Sequence, residues 1–265
     1  RPGLLVPTAA TRCSSSDDID PKERTVSLQH RLVEYQDGDT VLEGRVAWDD
    51  RFSGPRPGVL VAHAWGGRSD FEDGKADGLA GQGYAAFALD LYGKGVRGNS
   101  PDENAGLMQP FLDDRAMLQQ RLLASLSAMR EQPEVDAEQV AAIGFCFGGL
   151  CVLDIARTSE DVAGVVSIHG LFGPPGNTTG NRISAKVLAL HGWDDPMATP
   201  DQVTALADEL TTMGADWQLH AFGNTMHAFT NPAANAPDMG TVYSAAADKR
   251  SALVITNFLD ELFGG

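Results

Sequence analysis

The chain has 265 residues, a length that suits one large α/β domain with a sizeable core. Its formal net charge of −16 argues against nucleic-acid binding and against attraction to anionic membranes. No apolar run reaches the ~18–20 residues of a membrane span, no signal-peptide pattern opens the chain, and three cysteines make no disulfide framework. We therefore expect a cytoplasmic protein with a small-molecule substrate and with neither nucleic-acid nor membrane partners; the oligomeric state stays open.

Two regions are predicted along the chain. Residues 1–24 are rich in Ser, Asp, Pro and Thr, and we interpret them as a loose N-terminal extension in which Cys13 is an incidental thiol. Residues 25–265 are expected to form a single domain. It begins with strand-like stretches at 25–35 and 40–48, and the Asp37-Gly38 pair between them is typical of a hairpin.

From residue 59 onward, strand-like and helix-like stretches alternate. Strands are predicted at 59–62, 85–89, 140–145, 162–168, 185–190 and 217–222, and helices at 71–82, 109–130, from 147, from 199 and near 243–262. Thr199 fits as the N-cap of its helix, with Pro200 at the first helical position. The alternation predicts an α/β protein whose doubly wound, mainly parallel sheet has helices on both faces and the antiparallel hairpin at its edge.

The segment Gly144-Phe145-Cys146-Phe147-Gly148 follows a fully apolar strand and precedes an apolar helix-like stretch. It is the thiol version of the Gly-x-Ser-x-Gly nucleophile elbow, in which a strained turn projects the nucleophile from the sheet edge. Glycines are expected at the first and last positions because a Cβ there would collide with the neighbouring strand or helix. The alternative is a buried structural cysteine, since cysteine is among the most buried residue types.

Two later strand ends carry the partners that a thiol nucleophile needs. Asp194 and Asp195 follow the strand at 185–190, and His227 follows the strand at 217–222. The order nucleophile, acid, base is that of α/β-hydrolases. An imidazole removes the thiol proton and a carboxylate fixes its tautomer. We predict Cys146, Asp195 and His227 as the triad and prefer Asp195 to Asp194 because Pro196 follows it.

An oxyanion hole is expected from two backbone N–H groups. One belongs to Phe147, directly after the nucleophile, and the other to Trp65, in the glycine-rich loop after the strand at 59–62. His63 and His191 are interpreted as structural and supporting residues. No second cluster at ligand spacing favours a metal, so neither a metal site nor a cofactor is predicted.

These segments resemble the dienelactone hydrolase family, cysteine-dependent members of the α/β-hydrolase fold. The resemblance rests on residues 144–149, on Asp90-Leu91-Tyr92, on residues 192–196 and on His227-Ala228-Phe229. It implies hydrolysis of a carboxylic ester or lactone through a thioester acyl-enzyme, with neither a metal nor an organic cofactor.

The chain departs from the family at the positions that handle a substrate carboxylate. Ala64 stands where such enzymes have a glutamate, and Lys94 and Asn231 stand where they have two arginines. Lysine attracts a carboxylate only as a point charge. We therefore expect short-chain or neutral substrates, in contact with Lys94 and with an apolar acyl pocket that includes Tyr92, Trp193 and Phe229.

Alternative activities remain on the same fold. They are a dienelactone hydrolase proper (carboxymethylenebutenolidase type), a thioesterase or a small peptidase. A catalytically silent relative that binds a ligand is a different class of function. The silent relative is disfavoured because it has no chemical need for all three triad groups.

Overall fold

The computed structural model describes residues 28–264, and the prediction of a loose extension at residues 1–24 lies outside them. The strands are β1 Leu28–Asp37, β2 Thr40–Asp49, β3 Arg56–Ala62, β4 Ala85–Ala88, β5 Val135–Phe145, β6 Gly164–Ile168, β7 Lys186–Gly192, β8 Trp217–Phe222, β9 Asn235–Ala236 and β10 Thr241–Val242. The helices are α1 Asp70–Ala80, α2 Pro101–Asp113, α3 Arg115–Arg130, α4 Phe147–Arg157, α5 Pro200–Thr212 and α6 Ala245–Phe263.

Eight of the strands form one sheet in the order β1-β2-β4-β3-β5-β6-β7-β8. The hairpin strands β1 and β2 are antiparallel, β2 pairs antiparallel with β4, and the remaining pairs are parallel. The predicted α/β-hydrolase fold, with its antiparallel edge hairpin, is therefore confirmed. The carboxyl ends of β3, β5, β6, β7 and β8 meet at one edge of the sheet, where functional groups collect in such folds.

Helices cover both faces of the sheet. Residues of α3, α4 and α5 pack in one hydrophobic cluster, and residues of α1 and α6 pack in the other. Strand β5 supplies Ala142 to the first cluster and Ile143 to the second, which explains why its sequence is apolar without alternation. Within residues 28–264, the structure contains no helix with the length and apolar character that crossing a bilayer would require.

The helix predicted at 109–130 is two helices, so that prediction was wrong in its detail. Asp114 ends α2 and caps α3, with backbone angles of φ −123° and ψ 88° and a side chain that accepts a hydrogen bond from the Met117 N–H at 2.9 Å. Aspartate competes well with the backbone at a helix start, and this favours a new helix over continuation. The break lets α2 leave the sheet and form part of a cavity wall at its carboxyl edge.

Candidate active site

Cys146 lies at the sharp turn between β5 and α4. Its φ of +58° and ψ of −116° place a non-glycine residue in a strained region that costs about 1–3 kcal/mol. A Cβ on Gly144 would lie 1.9 Å from the Gly148 oxygen, and a Cβ on Gly148 would lie 2.2 Å from the Ala62 oxygen. Both glycines are therefore required by close approach of the backbone, and the turn presents Cys146 at the start of a helix.

The surroundings of the half-buried Cys146 thiol favour its ionised form. Burial alone would raise the thiol pKa, but the charge of His227 and the backbone N–H groups of Phe147 and Trp65 outweigh it, so that the pKa is lowered from its ordinary value. The two N–H groups predicted for the oxyanion hole thus lie beside the same sulfur atom. Cys151, five residues later, is fully buried, and burial raises the pKa of its thiol.

His227 and Asp195 form a buried pair, with side chains only 2% and 0% exposed. The His227 Nδ1–H donates a 2.7 Å hydrogen bond to Asp195 Oδ2, which leaves Nε2 for the nucleophile. Among residues 28–264, Nε2 lacks a well-directed hydrogen-bond partner, so its interaction with Cys146 is mainly electrostatic. Burial opposes the charge on the ring, but the Cys146 thiolate and Asp195 raise the pKa of His227 to about 10. The arrangement favours a thiolate–imidazolium pair.

The structure separates the two candidate carboxylates after β7. The Asp195 N–H donates to the Gly192 oxygen at 3.1 Å, a tight turn that directs the Asp195 side chain inward, and its Oδ1 accepts a 2.8 Å hydrogen bond from the Met197 N–H. Asp194 is exposed, and its backbone N–H donates to the Thr225 oxygen at 2.9 Å, two residues before His227. Asp195, not Asp194, is the carboxylate beside His227.

The loop after β3, residues 63–67, carries one of the N–H groups predicted for the oxyanion hole and is therefore named the oxyanion loop; the side chain of Tyr92 holds it in place. The Tyr92 hydroxyl donates a 2.8 Å hydrogen bond to the Trp65 oxygen, and the Tyr92 ring stacks against Phe147 with centroids 6.5 Å apart. Both residues whose N–H groups lie beside the thiol are therefore supported by the same tyrosine. Tyr92 acts on the oxyanion loop from inside the protein.

His63 and His191 occupy structural positions. His63 is fully buried, its Nε2 accepts from the Leu91 N–H at 3.2 Å and its Nδ1 lies 2.6 Å from the Ala64 oxygen. His191 is packed beside Phe172 and Trp193. In the part of the chain that the structure describes, no group of three or more His, Cys, Asp or Glu side chains is arranged to hold a metal ion.

A cavity of about 510 Å³ opens above Cys146 and His227. Its wall consists mainly of apolar side chains from the surrounding loops and from α2, namely Trp65, Phe71, Met108, Leu171, Met197 and Met239. Polar side chains also line it, among them Glu72, Arg97, Asn104 and Asn231. The cavity is large enough for the acyl and leaving groups of a small ester.

None of the four residues expected to contact the substrate lines this cavity. Tyr92 lies beneath the oxyanion loop, and Phe229 is fully buried with its ring against His169 at 5.1 Å. Trp193 is 45% exposed and lies outside the cavity, since the turn that brings Asp195 inward directs Trp193 outward. Lys94 is exposed and held by Glu34 and, at 3.3 Å, by Glu43.

Three residues at the site were not found from the sequence. Glu72 is a capping residue of α1 whose buried carboxylate accepts hydrogen bonds from the Ala64 N–H at 3.1 Å and from Ser69, and it lines the cavity close to the position of Ala64. Arg97 is exposed at the cavity rim and has no ion-pair partner among residues 28–264. His169 directly follows β6, and this strand-end position was the signal available for it.

Known proteins are similar to this chain in sequence and fold. A model of the dienelactone hydrolase family matches residues 42–263. An uncharacterized protein of Caenorhabditis elegans is 34% identical over 154 residues, which cover 57% of this chain and 98% of the relative.

Two solved structures are similar over nearly their whole length. One, named m3DLH, is 37% identical with a TM-score of 0.85, and the other, a dienelactone hydrolase-like promiscuous phosphotriesterase from metagenomic libraries, is 39% identical with a TM-score of 0.84. Each match covers 89% of this chain and 99% of the other. Together with the family match over residues 42–263, they show that the chain belongs to the dienelactone hydrolase family and is a lactone or ester hydrolase.

Proposed function

We propose that the protein hydrolyses short-chain or neutral carboxylic esters and lactones, with Cys146 as nucleophile, His227 as acid and base, and Asp195 as the residue that orients His227. The observation that carries this proposal is the buried His227–Asp195 hydrogen bond of 2.7 Å beside a thiol whose pKa is lowered. Dyads of this kind activate nucleophiles on unrelated folds.

The first half of the reaction forms a thioester. The Cys146 thiolate attacks the substrate carbonyl carbon, and the π electron pair moves to the oxygen between the N–H groups of Trp65 and Phe147. When that pair returns, the C–O bond to the leaving group breaks. The leaving oxygen takes the proton from His227 Nε2, so the alcohol departs neutral.

The second half restores the enzyme. His227, now neutral, removes a proton from a water molecule as the water oxygen attacks the thioester carbonyl carbon. The tetrahedral intermediate collapses by breaking the C–S bond, and the sulfur keeps the electron pair as a thiolate. Each turnover consumes one water and yields one acid and one alcohol, or a hydroxy acid from a lactone.

The charges around the cavity support the preference for uncharged substrates. Glu72 accepts all of its hydrogen bonds from groups around the oxyanion loop, and its carboxylate disfavours a second anion in the cavity. Lys94, the only cation at the positions matched to the family's arginines, is engaged by Glu34 and Glu43 and does not line the cavity. Arg97 at the rim is the cation that remains there within residues 28–264, and an exposed pair with it is worth at most about 1 kcal/mol.

Phosphotriester hydrolysis is a second candidate activity. The similar structure at 39% identity is titled a promiscuous phosphotriesterase. A cavity of about 510 Å³ with an apolar wall accommodates a triester with aryl and alkyl arms. The same thiolate would attack phosphorus and displace the aryl oxygen, which would take the proton from His227. Water activated by the neutral His227 would then break the S–P bond and return the thiolate.

A substrate panel tests the proposal. Purified protein is assayed with p-nitrophenyl acetate, uncharged lactones, thioesters and an aryl dialkyl phosphate, with and without prior iodoacetamide treatment. We expect the neutral short-chain ester or lactone to give the highest kcat/KM and iodoacetamide to abolish its turnover. Full activity after alkylation of Cys146 would contradict the mechanism, and a thioester or phosphotriester preference would replace the substrate class.

A further inference from the structure

A second histidine, His169, lies at the catalytic centre without a place in the triad. It follows β6 directly, adopts a φ of +38° and is only 2% exposed, yet it lines the substrate cavity. Positive φ is strained for a residue with a side chain, so something else must favour this conformation. The hydrogen bonds of the His169 ring favour this backbone conformation.

The ring of His169 joins the nucleophile turn at Cys146 to the histidine loop, residues 227–230. The backbone N–H of Cys146 is shared between the Ile168 oxygen at 3.0 Å and His169 Nδ1 at 3.1 Å. On the other side of the ring, His169 Nε2 lies 2.9 Å from Thr230 Oγ1. Thr230 is buried and comes three residues after His227.

These contacts determine the protonation of the ring. Because Nδ1 accepts a hydrogen bond, a neutral ring must carry its proton on Nε2 and donate it to Thr230. Burial first, and then the positive charge of His227, hold the pKa of His169 well below its ordinary value. The rings of His169 and His227 meet edge to face with centroids 5.1 Å apart.

The groups packed around His169 disfavour a second charge. Phe145 and Phe229 face the ring at 6.0 Å and 5.1 Å, and the cations near it are His227 and Lys75. A protonated His169 would point an N–H at the N–H of Cys146 and place a cation beside the imidazolium. The site therefore accommodates only the neutral ring.

We propose that His169 is a positioning residue: a neutral imidazole that holds the nucleophile turn and the His227 loop at a fixed separation through Cys146 N–H and Thr230. It acts through Cys146 and His227, and the inference rests on the proposed thiolate–imidazolium pair. The two hydrogen bonds of the His169 ring keep the Cys146 sulfur close to His227. The ionisation of the thiol depends on this proximity, because the positive charge of His227 stabilises the thiolate.

The test measures the rate of iodoacetamide alkylation against pH, which reports thiolate formation at Cys146 without any assumption about the natural substrate. His169→Phe keeps a ring but removes both links, and we expect the alkylation midpoint to move up by at least one pH unit. Ester kcat should fall by about tenfold or more with little change in KM, since geometry rather than binding is lost. His169→Asn offers Oδ1 near the position of Nδ1 and tolerates positive φ, so it should recover most of the alkylation profile.

Thr230→Val provides a second variant of nearly unchanged shape. Without an acceptor at Nε2 the ring is free to change tautomer, and the midpoint should move in the same direction by a smaller amount. Ser251→Ala is the matched control, because it also removes a buried hydroxyl, one without a partner among residues 28–264, and should leave the profile unchanged. Thermal unfolding of each variant checks that the fold is intact.

The outcomes separate the two levels of inference. A wild-type midpoint no lower than that of an ordinary thiol would overturn the proposed thiolate–imidazolium pair itself. A lowered wild-type midpoint that His169→Phe and Thr230→Val both reproduce would leave the pair standing and overturn the role of His169. If His169→Phe fails to fold, the Thr230→Val profile alone decides.

Discussion

The floor and the wall of the cavity are built differently. On the floor, His227 and Asp195 are buried and bonded to each other, and Cys146 is fixed by a turn that two glycines make possible. On the wall, Met197 and Met239 are 37% and 45% exposed; Met197 lies in a turn and Met239 ends a three-residue 3-10 helix. Methionine adapts its shape at little cost. The difference teaches that the residues proposed for the chemistry are buried and tightly connected, whereas the side chains proposed to meet the acyl and leaving groups are exposed and adaptable.

Among changes to the floor, replacement of Cys146 is expected to lower activity most. Cys146→Ala should reduce ester turnover by about 10⁶-fold, to the background of the assay, because the thioester route is lost. The measurement is steady-state hydrolysis of p-nitrophenyl acetate. Cys151→Ala, which removes the other thiol of the described chain, is the control and should retain most activity. Substantial turnover by Cys146→Ala would contradict the proposal that the reaction takes place at Cys146 on the floor.

Loss of the orienting carboxylate ranks second. Asp195→Asn should lower kcat on the order of 10⁴-fold. The asparagine NH₂ group can take the place of Oδ2 and donate a hydrogen bond to His227 Nδ1, which favours the wrong tautomer of His227. Asp194→Asn is the matched control one residue away, with an exposed side chain. The reverse pattern of activities would assign the acid to Asp194.

The pH dependence of turnover tests the electrostatics of the floor. His227 has a raised pKa of about 10, so it stays almost fully protonated through neutral pH and loses its proton as the pH rises through about 10. Above that pH we expect kcat/KM for an alkyl ester, which reports the acylation step, to fall about tenfold per unit because the alcohol leaving group loses its acid, whereas iodoacetamide alkylation of the thiolate continues unchanged. A decline of both rates near pH 7 would contradict the ion pair.

The smallest expected effect concerns the wall. With p-acetoxybenzoate and its neutral methyl ester as paired substrates, wild type should prefer the neutral one at both low and high salt. Arg97→Gln should lower kcat/KM for the anion by up to about fivefold and spare the neutral ester, since an exposed pair contributes at most about 1 kcal/mol. Lys94→Gln, outside the cavity, should change neither. A tenfold wild-type preference for the anion at both salt concentrations would show that the wall selects carboxylates.

The contrast between floor and wall also explains which residues of the site could be predicted from the sequence. Cys146, Asp195 and His227 each follow a strand of the parallel sheet, and the fold brings such strand ends together, so their proximity follows from the chain order. Wall residues come from α2 and from loops, and their positions depend on turns such as the one at Asp114. The apolar periodicity of residues 109–130 gave no sign of that turn. Tyr92 and Phe229 were expected on the wall as aromatic residues near motifs, but an aromatic side chain packs as readily beneath a loop as above it.

Glu72 and His169 show a further limit. Glu72 is a helix-capping residue in the sequence pattern, and only the path of the loop brings its carboxylate back to Ala64. His169 follows a strand end, but the sequence gives no sign that its Nδ1 meets the nucleophile's own N–H. Both contacts depend on side-chain rotamers and loop geometry, which no spacing rule specifies.

The most direct test of the central claim is the covalent intermediate. The protein is mixed with p-nitrophenyl acetate, quenched in acid on the millisecond scale, digested and analysed by mass spectrometry. The thiolate mechanism predicts one acetyl group on the peptide that carries Cys146, formed with the burst of p-nitrophenol and lost at the rate of steady-state turnover. A burst with the acetyl group on any other residue, or full turnover while the Cys146 peptide stays unmodified, would contradict it.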